Sequence, residues 1–288
     1  MASTDPAIAV LPYGSKIGRE SAERKLDALG WPLGCPDRLI GGTVRDLTDQ
    51  DHLIIYPKNK AHFVRHTWTP AQVSMMVVEP TAVHQRHLRM LRFSHRRFFR
   101  VFSFNTDYLA KYPNGLYLPF GTSWVPDWQD LVAQKSENIS LIASDKRDFP
   151  GHLLRHQIVD WSRQNNVDVA VLGRGYQPFE RKSDGLAPFR YSVVIENVRE
   201  KNYFSEKLID AVLCGTIPIY WGCPNIGDFL DAEAMIICKT AEQIQEAILS
   251  ADEADYLTRL PKLQAIQPAA AKYSNLERRA AETLLASL

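Results

Sequence analysis

The chain has 288 residues, 45% of them hydrophobic and 10% aromatic, which is apolar material for one large core or two ordinary ones. Its 34 basic and 33 acidic side chains leave a formal charge of +1, so no global field draws the protein onto nucleic acid. Cys35, Cys214, Cys223 and Cys238 are too irregularly spaced for a disulfide framework or a zinc site, and no run approaches the roughly 18 apolar residues of a membrane span. The expectation is a cytoplasmic chain without a signal peptide, in which the sequon at Asn138 carries no sugar.

In chain order, short apolar runs at 8–11, 53–56, 73–78, 101–104, 139–143, 167–172, 191–195, 217–221 and 235–238 predict strands. Amphipathic stretches at 20–29, 152–164, 205–214, 241–250 and 275–288 predict helices between and after them. Strands alternating with helices make an α/β protein. The polar stretch 121–138, interrupted by Pro126, reads as a junction, so the expected domains are 1–134 and 135–265, followed by a terminal helix over 266–288.

Chemistry concentrates in 191–225. A buried strand ends in Glu196-Asn197, and a polar loop carries Tyr203. Ser205 then caps a helix with Glu206 and Lys207 in its first turn, Gly215 ends that helix, and a second buried strand runs into Gly222 and Pro224. A helix start with free N–H groups beside a lysine is an anion site. Upstream, the run 167–172 leads into Gly173-Arg174-Gly175, where an arginine offers a bidentate fork to phosphate. Taken alone, Glu206 and Lys207 read better as a solvated first helical turn than as a site.

The order of these motifs resembles glycosyltransferase family 10, the α-1,3/4-fucosyltransferases. The residues that carry the resemblance are Ile195-Glu196-Asn197, Tyr203-Phe204-Ser205-Glu206-Lys207 and Ile217-Pro218-Ile219-Tyr220-Trp221-Gly222, with Ser205 standing where the family pattern has threonine and Phe204 where it has valine. In the first half the resemblance rests on Val77-Val78-Glu79-Pro80 and Tyr117-Leu118-Pro119. It implies a GT-B-like fold of two Rossmann-like domains facing across a cleft, and inverting fucose transfer from GDP-fucose to a glycan hydroxyl without a metal or other cofactor. It further implies that Arg174 and Lys207 hold the diphosphate, that Glu206 meets the ribose, and that Asn197 and Tyr203 lie near the donor. Glu196 belongs to the motif and is counted among the donor-binding residues, its particular role left open. Arg155 is similar to a family arginine and either faces the phosphates or lies on a solvated helix face. Glu79, ending an apolar strand before Pro80, is the candidate general base, with a structural ion pair as the alternative. Two further readings stay open: another nucleotide-sugar donor, and a glycan- or nucleotide-binding protein of this fold without turnover.

Several patterns mislead. Asp49-Gln50-Asp51 has metal-site spacing but precedes its strand, and Asp252-Glu253-Ala254-Asp255 has no phosphate loop to accompany it. Gly173-Arg174-Gly175 lacks the third glycine of a dinucleotide fingerprint. The run 84–100 interleaves six arginines with leucine and phenylalanine; it reads as a solvated helix face or as a contact with an anionic membrane or glycan.

Overall fold

Every apolar run read as a strand forms one in the computed structural model, which describes residues 6–131 and 134–288. In the first part of the chain the elements are β1 (Ile8–Val10), α1 (Arg19–Ala22), β2 (His52–Ile55), β3 (Gln72–Val77), α2 (Thr81–Ser94), β4 (Val101–Ser103), α3 (Thr106–Leu109) and β5 (Gly115–Tyr117). Their strands pair in sequence order, all parallel, as one five-stranded sheet. β2 and β3 are buried almost throughout, which is why both read as continuous apolar runs instead of alternating ones.

The second part holds β6 (Glu137–Ile142), α4 (Pro150–Gln164), β7 (Ala170–Leu172), β8 (Phe189–Ile195), α5 (Glu206–Leu213), β9 (Ile217–Trp221), β10 (Ile236–Ile237), α6 (Ala241–Ser250) and α7 (Glu253–Ala271). Its parallel sheet runs β10-β9-β8-β6-β7. From β6 the chain winds outward to β7, then returns to the other side of β6 with β8. That reversal is the doubly wound pattern, in which the ligand crevice belongs beyond the carboxyl ends of the strands at the switch point, here β6 and β8.

Two compact units result, one through Phe120 together with Leu276–Leu288, the other Gly121–Asn275. The division thus falls at 120/121 instead of the expected 134/135. Residues from Gly121 onward pack on the second unit: Gly121 N–H donates to Phe204 O at 3.0 Å, Val125 enters the core, and Ser123 Oγ donates to Asp210 at 2.7 Å. The terminal helix α8 (Leu276–Leu285) is no appendage either. It lies beside β1, buries Leu276, Ala280, Ala281 and Leu284, and is tied by Tyr56 to Glu277 and by Arg279 to the Pro119 and Phe120 carbonyls.

The helix expected over 20–29 is cut to four residues, because the backbone at Arg24–Leu26 pairs with Gly42–Val44 instead of continuing the coil. Asp51 is fully buried and accepts from Ala7 N–H, Thr48 and Arg38, so the acidic pair beside β2 is a structural tie. Asp252 caps α7 through Asp255 N–H. Asn138 sits within β6 with its amide on Ala251 O. Among the described residues no helix is long and apolar enough to cross a membrane.

Unit one also buries histidines. His62 places Nδ1 2.8 Å from Ser94 Oγ and Nε2 3.0 Å from His87, and burial, then His87 and His66, brings its pKa down to about 4. Burial and His87 bring His84 to about 4 as well. Both are neutral when folded, whereas the unfolded chain takes up their protons near pH 6.5. Stability therefore falls as pH drops from about 6.5 toward 4, by at most about 1.4 kcal/mol per pH step for each histidine. We expect scanning calorimetry to show a lower melting temperature at pH 5 than at pH 7, with the gap narrowed in His84→Leu; an unchanged gap would contradict the assignment.

Candidate functional site

The crevice in the second unit is shaped by glycines that permit backbone contact. A β-carbon on Gly151, in the first turn of α4, would lie 1.7 Å from Glu196 O, so α4 starts directly against the end of β8. Gly151 N–H donates to Asn197 O at 3.0 Å. Gly173, at φ +116°, would carry its β-carbon 2.1 Å from Ala143 O, and on Gly175 it would reach 3.1 Å from Asp145 N. The loop after β7 is therefore pressed onto the loop after β6. The two glycines serve this packing.

Behind the crevice lies a charged cluster. Glu196 is fully buried and accepts from Ser205 N–H at 2.8 Å and Ser205 Oγ at 2.6 Å. Lys207 Nζ lies 3.0 Å from Glu206 Oε1 and 3.8 Å from Glu196 Oε2. Lys182 Nζ lies 3.8 Å from Glu206 and 2.8 Å from Asp210, above the Trp124 ring at 4.8 Å. Side-chain exposure decides which of these groups meets a ligand: 27% for Lys207 against 0% for Glu196, 6% for Glu206 and 0% for Asp210. Lys207 is thus the most exposed member of the cluster, although its Nζ is turned onto Ser205 Oγ and Glu206, and the carboxylates are covered.

Electrostatics holds it in that form. Burial alone would raise the Glu206 carboxyl, but Lys207 and then Lys182 outweigh it and bring it down to about 2. Burial would also lower Lys207, and Glu206 with Glu196 reverses that, keeping the ammonium charged above its ordinary range. Glu196 goes the other way: burial, reinforced by Glu206, raises it despite Lys207 and Ser205.

One expectation fails at the start of α5. Lys207 N–H goes to the Ser205 cap and Leu208 N–H to Ser205 O, so the first turn does not offer a set of free N–H groups. The positive feature of the site is the Lys207 side chain. Arg155 is 5% exposed, and its guanidinium donates to Ile195 O at 3.1 and 2.5 Å and to Asn197 Oδ1 at 3.0 Å. It is neither a solvated helix-face residue nor a free fork, since it fixes the end of β8 and orients Asn197. Tyr203 is buried. Its charge reaches Arg155. Arg174 is exposed in the loop after edge strand β7 and makes no ion pair or side-chain hydrogen bond among the described residues. It stands two strands from β8, roughly 10 Å at ordinary strand spacing. In the first unit, half-buried Glu79 follows β3, and its charge reaches Tyr56 at the end of β2.

No family model matches the chain. It is 30% identical over 69 residues to the α-(1,3)-fucosyltransferase FucT of Helicobacter pylori, covering 24% of this chain and 14% of that protein. It is 25% identical over 165 residues to α-(1,3)-fucosyltransferase B of Drosophila melanogaster, covering 47% and 36%. The chain resembles the α-1,3-fucosyltransferases. Both alignments span well under two thirds of the relatives' own length. A crystal structure of an α1,3-fucosyltransferase with GDP superposes over 96% of this chain and 94% of that one, at TM-score 0.51 and 14% identity. The fold is accordingly GT-B-like, with two parallel α/β units.

The fucosyltransferase-like motif is thus one physical object. Its two halves, Glu196-Asn197 and Ser205-Glu206-Lys207, are separate in sequence and bonded through the Ser205 cap in space. The loop between them is pinned by Asn202, at φ +63°, whose N–H and side chain both bond to Asn225. Gly222 closes the back, where a β-carbon would meet Glu196 Cγ at 2.6 Å and Tyr220 Oη at 2.3 Å. Sequence reasoning missed Lys182, Asp210 and His152. Asp210 had a signal, a carboxylate within the apolar run Leu208-Ile209-Asp210-Ala211-Val212. Lys182, in an irregular polar stretch, had none. His152, one residue past Gly151 and 4% exposed, is placed against Arg155 and Asn197; burial first, then Arg155, lowers its pKa.

Proposed function

We propose that this protein is an inverting glycosyltransferase that moves fucose from GDP-fucose to a hydroxyl of a glycan acceptor. The observation that carries this reading is the partly exposed Lys207, its ammonium held charged by buried Glu206 and Glu196 in a doubly wound unit, within the segment that resembles fucosyltransferases. In this reading Lys207 and Arg174 take the diphosphate, Glu206 the ribose, and Asn197, steadied by Arg155, lies beside the sugar. Inverting transfer needs stabilisation of the departing nucleoside diphosphate and a base for the acceptor proton. Fixed cations supply the first, each worth a few kcal/mol, about what removing one preorganised electrostatic group costs elsewhere. Glu79 supplies the second. The acceptor is a glycan or glycoconjugate.

The test is incubation with GDP-fucose, GDP-mannose and UDP-sugars, each with a panel of oligosaccharides, followed by assay of nucleotide release. Release from GDP-fucose is expected, and it should persist with EDTA. A strict need for Mn²⁺ or Mg²⁺ would contradict the fixed-cation mechanism. Release from UDP-sugars alone would overturn the donor assignment, and nucleotide binding without turnover would favour a binding protein of this fold. In the absence of acceptor, GDP should raise the melting temperature more than UDP does; equal shifts would count against guanine recognition.

A further inference from the structure

The first unit contains a cavity that this function leaves unused. Its volume is about 510 Å³, and its wall includes Arg65, His66, Gln72, Arg96, Arg97 and Phe98. Gln72 begins β3, and Phe98 precedes β4 by a few residues, so the cavity lies at the amino ends of the parallel strands. Glu79 stands past the carboxyl end of the same strand, roughly 20 Å away at ordinary strand rise. The cavity and the candidate base are therefore at opposite ends of one sheet.

The wall is charged with one sign. No acidic side chain lines it, and Arg65, Arg96 and Arg97 make no ion pair among the described residues. All three arginines are exposed to solvent and without an acidic partner, so each can offer an oxyanion bidentate hydrogen bonds. His66 adds a ring whose two nitrogens are buried without a hydrogen-bond partner among the described residues, its centroid 5.3 Å from that of Phe98 at a tilt of 40°. Burial, and then Arg97, keeps this imidazole toward its neutral form, so it leaves the positive charge to the arginines. The volume is many times the roughly 30 Å³ share of a single water, which suits an oxyanion carried on a larger molecule. Phe98 and Phe99 give that remainder an apolar wall.

The surroundings extend the charge. α2 runs directly into this corner, with Arg86, Arg89 and Arg92 exposed along it and Phe93 91% exposed beside them. The buried face of the same helix is Leu88, Leu91 and Ser94, so the arginines are the face that packing leaves outside. Of the two readings of the run 84–100, the solvated face is what the first turns show, and the cavity at its end is more than that.

We propose that the cavity bounded by Arg65, Arg96 and Arg97 is a binding site for a phosphate group, borne either on a soluble molecule or on a phospholipid headgroup. The site is independent of the donor crevice, and it would give the protein a second anion-binding function.

The test uses the full chain as wild type, Arg65→Gln, the Arg96→Gln/Arg97→Gln double variant, and Lys207→Ala as a control for the donor crevice. Titration calorimetry with inorganic phosphate reads the soluble source. Co-sedimentation with phosphatidylcholine vesicles, with and without phosphatidylglycerol, reads the headgroup source. Saturable phosphate binding should remain in Lys207→Ala, where the donor crevice no longer contributes, and should be at least about tenfold weaker when the double variant is added to that background, the effect of losing one charge-assisted pair. Vesicle binding that requires phosphatidylglycerol and is lost in the same variant would also support the site, and would name its source. Equal binding by Lys207→Ala with and without the double variant, or binding in neither arm, would overturn it. Because Lys207→Ala isolates the donor crevice, failure here leaves the fucosyltransferase reading standing, and failure of that reading leaves this one.

Discussion

Glu79→Gln is expected to slow fucose transfer about 10²–10⁴-fold, the range for loss of a general base, while leaving affinity for GDP unchanged. The substitution keeps the size and hydrogen-bonding capacity of the side chain and removes only its basicity. Its position motivates the prediction. β3 carries buried residues up to Val77, Val78 is still buried, and Glu79 is the first half-buried group beyond them. Pro80 then turns the chain into α2, so the carboxylate is held at the strand's carboxyl end instead of being carried into a helix. Its charge is felt by the Tyr56 hydroxyl, which donates to Glu277 at 2.9 Å. The residues proposed to hold the diphosphate, Arg174 and Lys207, both belong to the second unit, so donor affinity provides an internal control. The measurement is initial transfer rate at saturating GDP-fucose beside a GDP titration. Near-normal transfer in the variant would move the base to another first-unit group, and weakened GDP binding would show that Glu79 acts on the donor.

What the sequence made legible follows from physics that is local. Parallel strands buried on both faces read as continuous apolar runs, which is how β2, β3, β8 and β9 were identifiable without any partner in view. The Ser205 cap and the Gly215 stop, at φ +68°, bracketed α5 for the same reason. What was hidden depends on neighbours remote in sequence. β5 is three partly exposed residues at a sheet edge, and Gly115-Leu116-Tyr117 has no periodicity to notice. α7 contains Pro261 and Pro268, which argue against a helix; burial of Tyr256, Leu263, Ile266 and Ala270 against α5 and β9 overrides that propensity.

The site divides along the same line. Glu196, Asn197, Glu206 and Lys207 were recoverable because they occur in a recognisable order within a short span. Their chemistry was not, since it depends on who neutralises whom. Nothing in the stretch around Lys182 indicates that it shares two carboxylates with α5, and nothing local distinguishes Arg155 as a buried brace from a surface arginine. The helix start of α5 shows the limit most clearly. Sequence gave it a cap and an acid, and the expected anion site at its N–H groups did not allow for the cap taking them.

Lys207→Ala should abolish the GDP-induced rise in melting temperature and also destabilise the second unit, and the second effect should be largely reversed by adding Glu206→Gln. The argument begins from charge balance. Glu206 is 5% exposed and is kept ionised by Lys207 at 3.0 Å and Lys182 at 3.8 Å, but Lys182 is committed more closely to Asp210 at 2.8 Å. Removing Lys207 leaves the Glu206 carboxylate underpaired in a site that water reaches poorly. Breaking a buried pair by deleting one partner costs about 3–5 kcal/mol, while replacing both partners is often neutral. Because the Lys207 side chain is 27% exposed, the lower end applies, about 3 kcal/mol, or a melting shift of roughly 6–12 °C for a unit of this size. Glu206→Gln added to Lys207→Ala removes the orphaned charge, so stability should return to within about 1 kcal/mol of wild type. GDP binding should not return, because the Lys207 ammonium is still missing. Chemical denaturation of the four proteins of this cycle, with and without GDP, separates the two roles. If the double variant is as unstable as the single one, Lys207 does not stabilise Glu206. If Lys207→Ala still responds to GDP as the wild type does, the diphosphate is held elsewhere, and the crevice between β6 and β8 is not the donor site.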